Sequence, residues 1–143
     1  MSSLIKHNHH SIEPAAALTR NQSLVFDTLA AAEGPLSAYG ILDVVRDDGL
    51  RAPLQVYRAL DKLVEAGLVH RLESINAFVA CSHHHDNPDR PIAFAICETC
   101  GQVSEFSDET MERRLAAWAD EHAFRPAKTT IEIRGICASC ANS

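Results

Sequence analysis

The sequence lacks the long apolar runs that would carry a chain into a membrane. No apolar stretch approaches the roughly 20 residues that a membrane-spanning helix needs, and residues 1–12 contain no apolar core of a secretory signal. Hydrophobic residues make up 46% and charged residues 22% of the chain, which is typical of a soluble globular protein. We therefore expect a cytoplasmic protein with no membrane partner.

The motifs of common enzyme classes are also missing. The sequence has no G-x-S-x-G nucleophile motif, no glycine-rich phosphate loop and no H-E-x-x-H metal motif, so we expect no enzymatic activity. Basic residues are few: 13 Lys and Arg stand against 19 Asp and Glu, for a net charge of -6. This balance argues against indiscriminate binding of nucleic acid, but it permits binding through a few basic residues on one face.

Paired cysteines, by contrast, are prominent. Cys97 and Cys100 form one C-x2-C pair, and Cys137 and Cys140 form another. Two such pairs supply four thiolates, which fill the tetrahedral coordination of one zinc ion and leave no position for water. The spacing therefore predicts a closed, structural zinc site, whose loss should unfold the second half of the chain. The alternative is two separate redox-active C-x-x-C motifs.

A second group of metal-binding residue types lies in the middle of the sequence. Its members are His70, Cys81, His83, His84, His85 and Glu105. Zinc accepts nitrogen, sulfur and carboxylate ligands, so this group predicts a second metal site. Each residue also has an ordinary explanation: His70 as an exposed residue, Cys81 as a small buried side chain, and Glu105 as a surface carboxylate.

Helical and extended patterns follow one another in the order of a winged helix-turn-helix. The helix starts are marked by the capping box of Thr19 and Gln22, by Ser37 and by Pro53. The apolar stripe of the second helix includes Val44, and Gly67 ends the third helix. Two extended runs, 68–73 and 77–81, then form a hairpin. This order predicts a winged-helix domain over residues 1–81.

The second half has the pattern of a small α/β domain. Residues 82–91 are polar and turn-rich, so we expect a linker there and a second domain over 92–143. Strands are expected at 92–97, 102–106 and 129–136. Between the last two, Ser107 should cap a helix whose apolar stripe includes Trp118, expected in the core. The predicted fold class is thus α+β: a winged helix followed by a small α/β domain with a four-cysteine zinc site.

These residues, in this order, resemble the ferric uptake regulator family. The motifs that carry the resemblance are Val56-Tyr57-Arg58-Ala59-Leu60, residues 67–74, the histidine run, residues 97–101 and residues 135–140. They extend over nearly the whole chain, from about Leu18 to Cys140. Within the family, the chain most resembles the branch of zinc uptake regulators. Residues 37–39, the pair of Asp43 and Arg46, His70 and Cys81 suit that branch.

The resemblance implies a zinc-dependent transcriptional repressor of zinc uptake genes. It implies a homodimer, formed by the second domain, that binds AT-rich, pseudo-palindromic operator DNA when its sensory site is loaded. Two zinc ions per chain are expected, one structural and one regulatory. The implied residues are Cys97, Cys100, Cys137 and Cys140 for the structural zinc; His70, Cys81, Glu105 and one of His83, His84 and His85 for the regulatory zinc; Gln55, Tyr57 and Arg58 for DNA; and Asp43 and Arg46 for contact between two dimers on one operator.

The chain departs from the family pattern at several positions. Arg90-Pro91 stands where relatives carry the linker histidine, so that ligand must come from the run at 83–85. Gln55 replaces the usual Thr before Val-Tyr-Arg, and Arg20 replaces the Pro of a Thr-Pro pair.

Three other functions remain open from the sequence. An iron, manganese or peroxide sensor is the alternative within the family, although the thiol of Cys81 favours zinc over ferrous iron. A small zinc hydrolase using the His/Cys site would need a metal-bound water and a nearby base. A redox switch that ejects zinc on oxidation would need exposed thiols of low pKa.

Overall fold

The computed structural model describes residues 18–81 and 91–142, which fall into two compact units on either side of the gap. The first unit contains α1 (Arg20–Ala31), α2 (Ala38–Val45), α3 (Pro53–Glu65), β1 (Val69–Leu72) and β2 (Ala77–Ala80). The second contains β3 (Ile92–Cys97), β4 (Val103–Phe106), α4 (Glu109–Glu121), β5 (Thr130–Gly135) and α5 (Ala138–Ala141). Among these helices none has the length and apolar character to cross a membrane. The predicted ligands His83, His84 and His85 lie outside the described residues.

The helix boundaries of the first unit follow from local capping. Thr19 and Gln22 form the predicted capping box, in which each side chain accepts a hydrogen bond of 3.1 Å from the other residue's backbone N–H. Ser37 Oγ accepts a hydrogen bond from the backbone N–H of Gly40 at 3.0 Å. Gly67 adopts a φ of 78°, a left-handed conformation that ends α3 without a steric penalty. The three predicted signals are therefore confirmed.

The three helices of the first unit pack around one apolar core. Its fully buried members include Val25, Ile41, Val45, Leu50, Val56, Leu60 and Leu63. The prediction for Val44 was wrong, because this side chain is 56% exposed. Ile41, Leu42 and Val45 already fill the inward face of α2, and Val44 falls on the flank of the helix.

The predicted hairpin forms the wing of this unit. β1 and β2 pair antiparallel, with His70 opposite Val79. Leu36 also pairs with β2, at a single residue. Its backbone exchanges two hydrogen bonds with the backbone of Phe78, at 2.8 and 3.1 Å. This bridge, which the sequence did not predict, connects the wing to the segment between α1 and α2.

The second unit is a three-stranded sheet with one long helix. β3 lies in the centre, antiparallel to β4 and parallel to β5, and α4 provides the crossover between those outer strands. Phe94 of β3 is fully buried and lies opposite Glu105 of β4. The parallel pairing of β3 and β5 places the carboxyl ends of both strands at one edge of the sheet.

Two predictions for α4 were wrong. The residue that caps the helix is Asp108 rather than Ser107, because Asp108 Oδ1 accepts the backbone N–H of Thr110 at 3.0 Å. Trp118 is 48% exposed instead of buried. Its ring stacks on His122, with 4.3 Å between ring centroids, and meets the edge of Phe124. Within α4 only Ala119 is buried, so the rest of this small unit does not cover the apolar stripe that carries Trp118.

Candidate metal centres and DNA-reading helix

The first cysteine pair is held by a tight turn at the end of β3. The backbone N–H of Cys97 donates to the carbonyl oxygen of Gln102, and Gly101 N–H donates to the carbonyl oxygen of Cys97, both at 2.9 Å. Gly101 has a φ of 80°, which glycine adopts without strain and which closes the turn. This local geometry turns the side chain of Cys100 back towards Cys97, and the backbone N–H of Cys100 donates to Cys97 Sγ at 3.4 Å.

The second pair arrives at the same place through the parallel pairing of β5 with β3. Gly135 lies opposite Cys97 in the register, and its carbonyl oxygen accepts a hydrogen bond of 2.7 Å from Glu98 N–H. Two residues later, Cys137 N–H donates to Cys97 Sγ at 3.3 Å. The short helix α5 then returns Cys140 to the cluster. The long-range strand register thus brings together two pairs that are 40 residues apart in sequence.

The four sulfur atoms form a compact set that suits one zinc ion. All four lie within 4.8 Å of one another, and Cys100 Sγ is 3.8 Å from Cys137 Sγ. A tetrahedron with zinc–sulfur bonds of about 2.3 Å has edges of about 3.8 Å. None of these four cysteines forms a disulfide. Donor number, donor chemistry and spacing therefore all fit a closed structural site, and the structure brings together every residue of the predicted set.

The hydrogen bonds of the cluster shift the pKa values of two of its thiols in opposite directions. The backbone N–H groups of Cys100 and Cys137 donate to Cys97 and lower the pKa of its thiol to about 6. The hydrogen bond with the Cys137 side chain, together with burial, raises the pKa of Cys140 to about 12. The thiolate form of Cys97 is therefore favoured by the surrounding donors even before a metal ion binds.

His70 and Cys81 form a second, smaller group on the wing. Leu68 lies opposite Cys81, whose backbone N–H donates to the Leu68 carbonyl oxygen at 2.9 Å, so the hairpin register extends one residue beyond β2. His70 and Cys81 therefore share one face of the hairpin. A ring nitrogen of His70 lies within 4.8 Å of Cys81 Sγ, a separation that one metal ion can bridge.

The burial of His70, Cys81 and Glu105 differs from the burial that the ordinary explanation of each residue would predict. His70 is only 6% exposed, so it is not a solvated wing residue. Cys81 is half-buried rather than part of the apolar core. Glu105 is half-buried on β4 of the second unit.

The third helix presents the predicted DNA-binding residues at its amino-terminal end. Tyr57 and Arg58 are exposed. Gln55 is exposed as well, but its side chain also has a structural role, because its Oε1 accepts the backbone N–H groups of Arg51 and Ala52 at 3.1 and 3.2 Å. This cap closes the start of α3. Leu54, which the sequence did not single out, lies on the exposed side of the same turn.

Asp43 and Arg46 lie on the exposed surface of α2 and the 3-10 turn that follows it (Arg46–Asp48). Within one chain, Asp43 Oδ1 is 3.6 Å from an Arg46 guanidinium nitrogen, and the two side chains are 78% and 52% exposed. The pair is thus placed one helical turn apart on a solvent-facing surface, as the sequence predicts.

Comparison with known sequences relates the whole arrangement to one family. The sequence model described as the ferric uptake regulator family matches residues 17–134. The zinc uptake regulation protein of Escherichia coli (strain K12) is 39% identical over 124 residues, which cover 86% of this chain and 72% of that protein. The ferric uptake regulation protein of Legionella pneumophila is 34% identical over 110 residues, covering 73% and 76% of the two chains.

Comparison with solved structures agrees with this relation. A structure described as a zinc uptake regulator complexed with zinc and DNA is 35% identical, with a TM-score of 0.83 and coverage of 97% of this chain and 93% of that one. The crystal structure of holo XcZur is 41% identical, with a TM-score of 0.78 and coverage of 88% and 87%. From its sequence and its fold alike, the chain belongs to the ferric uptake regulator family.

Proposed function

We propose that the chain is a zinc-dependent transcriptional repressor that binds operator DNA as a homodimer and controls genes of zinc uptake and homeostasis. The assignment of zinc rests on one observation: on the wing, the thiol of Cys81 lies beside the imidazole of His70. A thiolate ligand favours zinc over ferrous iron, which prefers nitrogen and oxygen ligands. The relatives described as zinc uptake regulators support the same choice.

Two zinc ions per chain are part of this proposal. The four-thiol cluster would hold the structural ion. His70 and Cys81 would bind the regulatory ion together with Glu105 and one histidine from the run at 83–85, as the sequence suggests. Four protein ligands would close both coordination spheres, leaving no place for a metal-bound water, so we propose no hydrolase activity. Reduced thiols of this kind persist in the cytoplasm, where we place the protein.

The homodimer is supported by the surface of the second unit. Several large apolar side chains there are exposed in a single chain: Phe106, Leu115, Trp118, Phe124, Ile133 and Ile136. Burial of such side chains against a second copy would remove apolar area from water and stabilise a symmetric pair. A dimer would carry two copies of α3, one for each half of a palindromic operator.

Regulation then follows from a shift between populations. Zinc bound at His70 and Cys81 would act on the wing that follows α3 directly in sequence, and so restrict the orientations that the DNA-binding unit samples. In a dimer this restriction fixes the spacing of the two α3 helices. A coupling free energy of about 1–3 kcal/mol between zinc and DNA suffices for a metal-dependent response.

Operator binding measured against buffered free metal tests the proposal. Labelled duplexes selected from a random pool by the zinc-loaded protein are titrated at fixed free Zn²⁺, Fe²⁺ or Mn²⁺, and binding is followed by fluorescence anisotropy. We expect binding to require zinc, with iron and manganese ineffective at equal free concentration. Activation by iron or manganese instead would assign the chain to the alternative sensor class. Binding that responds only to oxidant would favour the redox switch.

A further inference from the structure

Leu54 lies at the centre of the exposed face of α3. The helix buries Val56, Leu60 and Leu63 against the core of the first unit. At 3.6 residues per turn, Leu54 is about 180° around the helix axis from Leu63, and its side chain is 57% exposed. Tyr57 and Arg58 follow three and four residues later. Leu54, Tyr57 and Arg58 therefore occupy one continuous surface, which we call the reading face.

Gln55 lies to one side of the reading face, and its side chain is already engaged in capping the helix. It is about 100° from Leu54 around the axis, and its Oε1 already accepts two backbone N–H groups, from Arg51 and Ala52. A glutamine reads adenine by using its oxygen and its amide nitrogen together. Because that oxygen caps the helix, Gln55 holds the start of α3 in place and cannot use its oxygen and its amide nitrogen together on a base.

We propose that Leu54 is a specificity-determining residue that recognises the C5-methyl group of a thymine in the major groove. The inference rests on the proposed function, in which α3 enters operator DNA. Residues near the amino end of a reading helix contact base edges, and the thymine methyl is the apolar feature of the major-groove edge. Leu54 offers only apolar contact, while the adjacent Arg51 and Arg58 supply positive charge for phosphate or guanine.

The methyl group can be removed from the DNA without altering its base pairing. Each thymine of a selected operator is replaced, one at a time, by deoxyuridine, and the affinity of the zinc-loaded dimer is measured for every duplex. With the wild-type protein we expect one thymine per half-site at which the replacement weakens binding about three- to fivefold, as expected when one methyl group is no longer buried.

The variant Leu54→Ala identifies the residue that reads this methyl. This variant should bind the thymine duplex about as weakly as the wild type binds the deoxyuridine duplex. Replacing that one thymine by deoxyuridine should then weaken its binding no further, since the two changes remove the same contact. Leu54→Met keeps an apolar side chain of similar reach and should retain the sensitivity. Tyr57→Phe is the second control, because it changes a neighbour on the reading face and should leave this thymine's effect intact.

The outcomes separate the inference from the function on which it rests. If Leu54→Ala keeps the wild-type profile at every thymine, or loses equal affinity on unrelated DNA, then Leu54 does not read a methyl group while zinc-dependent DNA binding stands. If no duplex is enriched from the random pool in the presence of zinc, the proposed function itself fails and the inference fails with it. Zinc content and circular dichroism, unchanged in all three variants, confirm that each one is folded.

Discussion

The five cysteines differ in position, and we expect them to differ in role. Cys97 is buried and receives two backbone N–H groups within the four-thiol cluster, whereas Cys81 is half-buried at the end of the wing. Cys81→Ser should abolish zinc-dependent operator binding, because it removes a ligand of the proposed regulatory site, yet leave a folded dimer. Cys97→Ser should unfold the second unit, because a structural zinc contributes folding free energy directly. Anisotropy and circular dichroism measure the two effects.

Matched serine variants control this comparison. Cys140 belongs to the same cluster as Cys97, although the two positions are 43 residues apart in sequence. Cys140→Ser should therefore unfold the second unit as Cys97→Ser does. Equal damage from Cys81→Ser and Cys97→Ser would contradict the division into regulatory and structural sites.

At the scale of residues, the sequence predicted best what depends on local spacing. The four cysteines could be grouped because each C-x2-C pair forms its own turn, closed in one case by Gly101. The closeness of His70 and Cys81 depends on the register of β1 and β2, which spacing alone did not fix. Trp118 was assigned to the core incorrectly, since apolar periodicity shows which side chains share a face and not whether anything covers that face.

Among the elements, α4 ends in a conformation that its sequence does not favour. Ala123 has a φ of 51°, and the backbone N–H groups of Ala123 and Phe124 donate to the carbonyl oxygens of Asp120 and Ala119, as in a Schellman motif. Left-handed alanine costs about 1–2 kcal/mol, whereas glycine costs about 0.5–1 kcal/mol in unfolded-state entropy. Ala123→Gly should therefore raise the free energy of unfolding by about 0.5–1 kcal/mol.

Urea unfolding of the zinc-loaded protein measures this change, followed by the emission of Trp118. This residue is the chain's only tryptophan, and it lies in the helix concerned. The matched control is Ala116→Gly in the exposed middle of α4, which should lower the free energy of unfolding by about 1 kcal/mol. If both glycines destabilise the protein to the same extent, the left-handed cap carries no strain. Both variants are compared at one protein concentration, because dimerisation adds to apparent stability.

Each predicted strand begins and ends within one residue of the observed strand, whereas three short features were not predicted, for one common reason. The caps at Thr19 and Ser37 and the stop at Gly67 are local signals, and they set the helix ends correctly. The 3-10 turn at Arg46–Asp48, the four-residue helix α5 and the bridge between Leu36 and Phe78 are too short to show any period. The sheet order β4-β3-β5 was likewise not predicted, because strand pairing is a long-range property.

For the whole molecule, the two metal sites should differ in how firmly they retain zinc. The four-thiol cluster draws its ligands from two turns locked together by the β3–β5 pairing, and it supplies four sulfur donors. The proposed regulatory site has one thiol, that of Cys81. Dialysis against a chelator of moderate affinity should therefore leave about one zinc per chain, with the second regained on adding metal. Metal analysis makes the measurement. A folded protein retaining no zinc would contradict the structural assignment.

The exposed surface of α2 bears on how two dimers assemble on DNA. Asp43 and Arg46 form an exposed pair within one chain, and such a local pair contributes only about 0.3–0.5 kcal/mol to stability. We propose that they also join two dimers on one operator, with Asp43 of one dimer facing Arg46 of the other and the reverse. Such a symmetric contact is isologous, so each substitution removes two ion pairs at once.

This arrangement predicts a loss of cooperativity without a loss of affinity. Asp43→Ala or Arg46→Ala should leave the binding of the first dimer unchanged and weaken that of the second about five- to thirtyfold, since two ion pairs of roughly 0.5–1 kcal/mol each disappear. The double variant Asp43→Arg with Arg46→Asp should regain part of the cooperativity, because the reversed charges face each other again. Gel-shift titrations that resolve one-dimer and two-dimer complexes measure both steps. If a single dimer saturates the operator, or if both alanine variants remain fully cooperative, the pair acts only within its own chain.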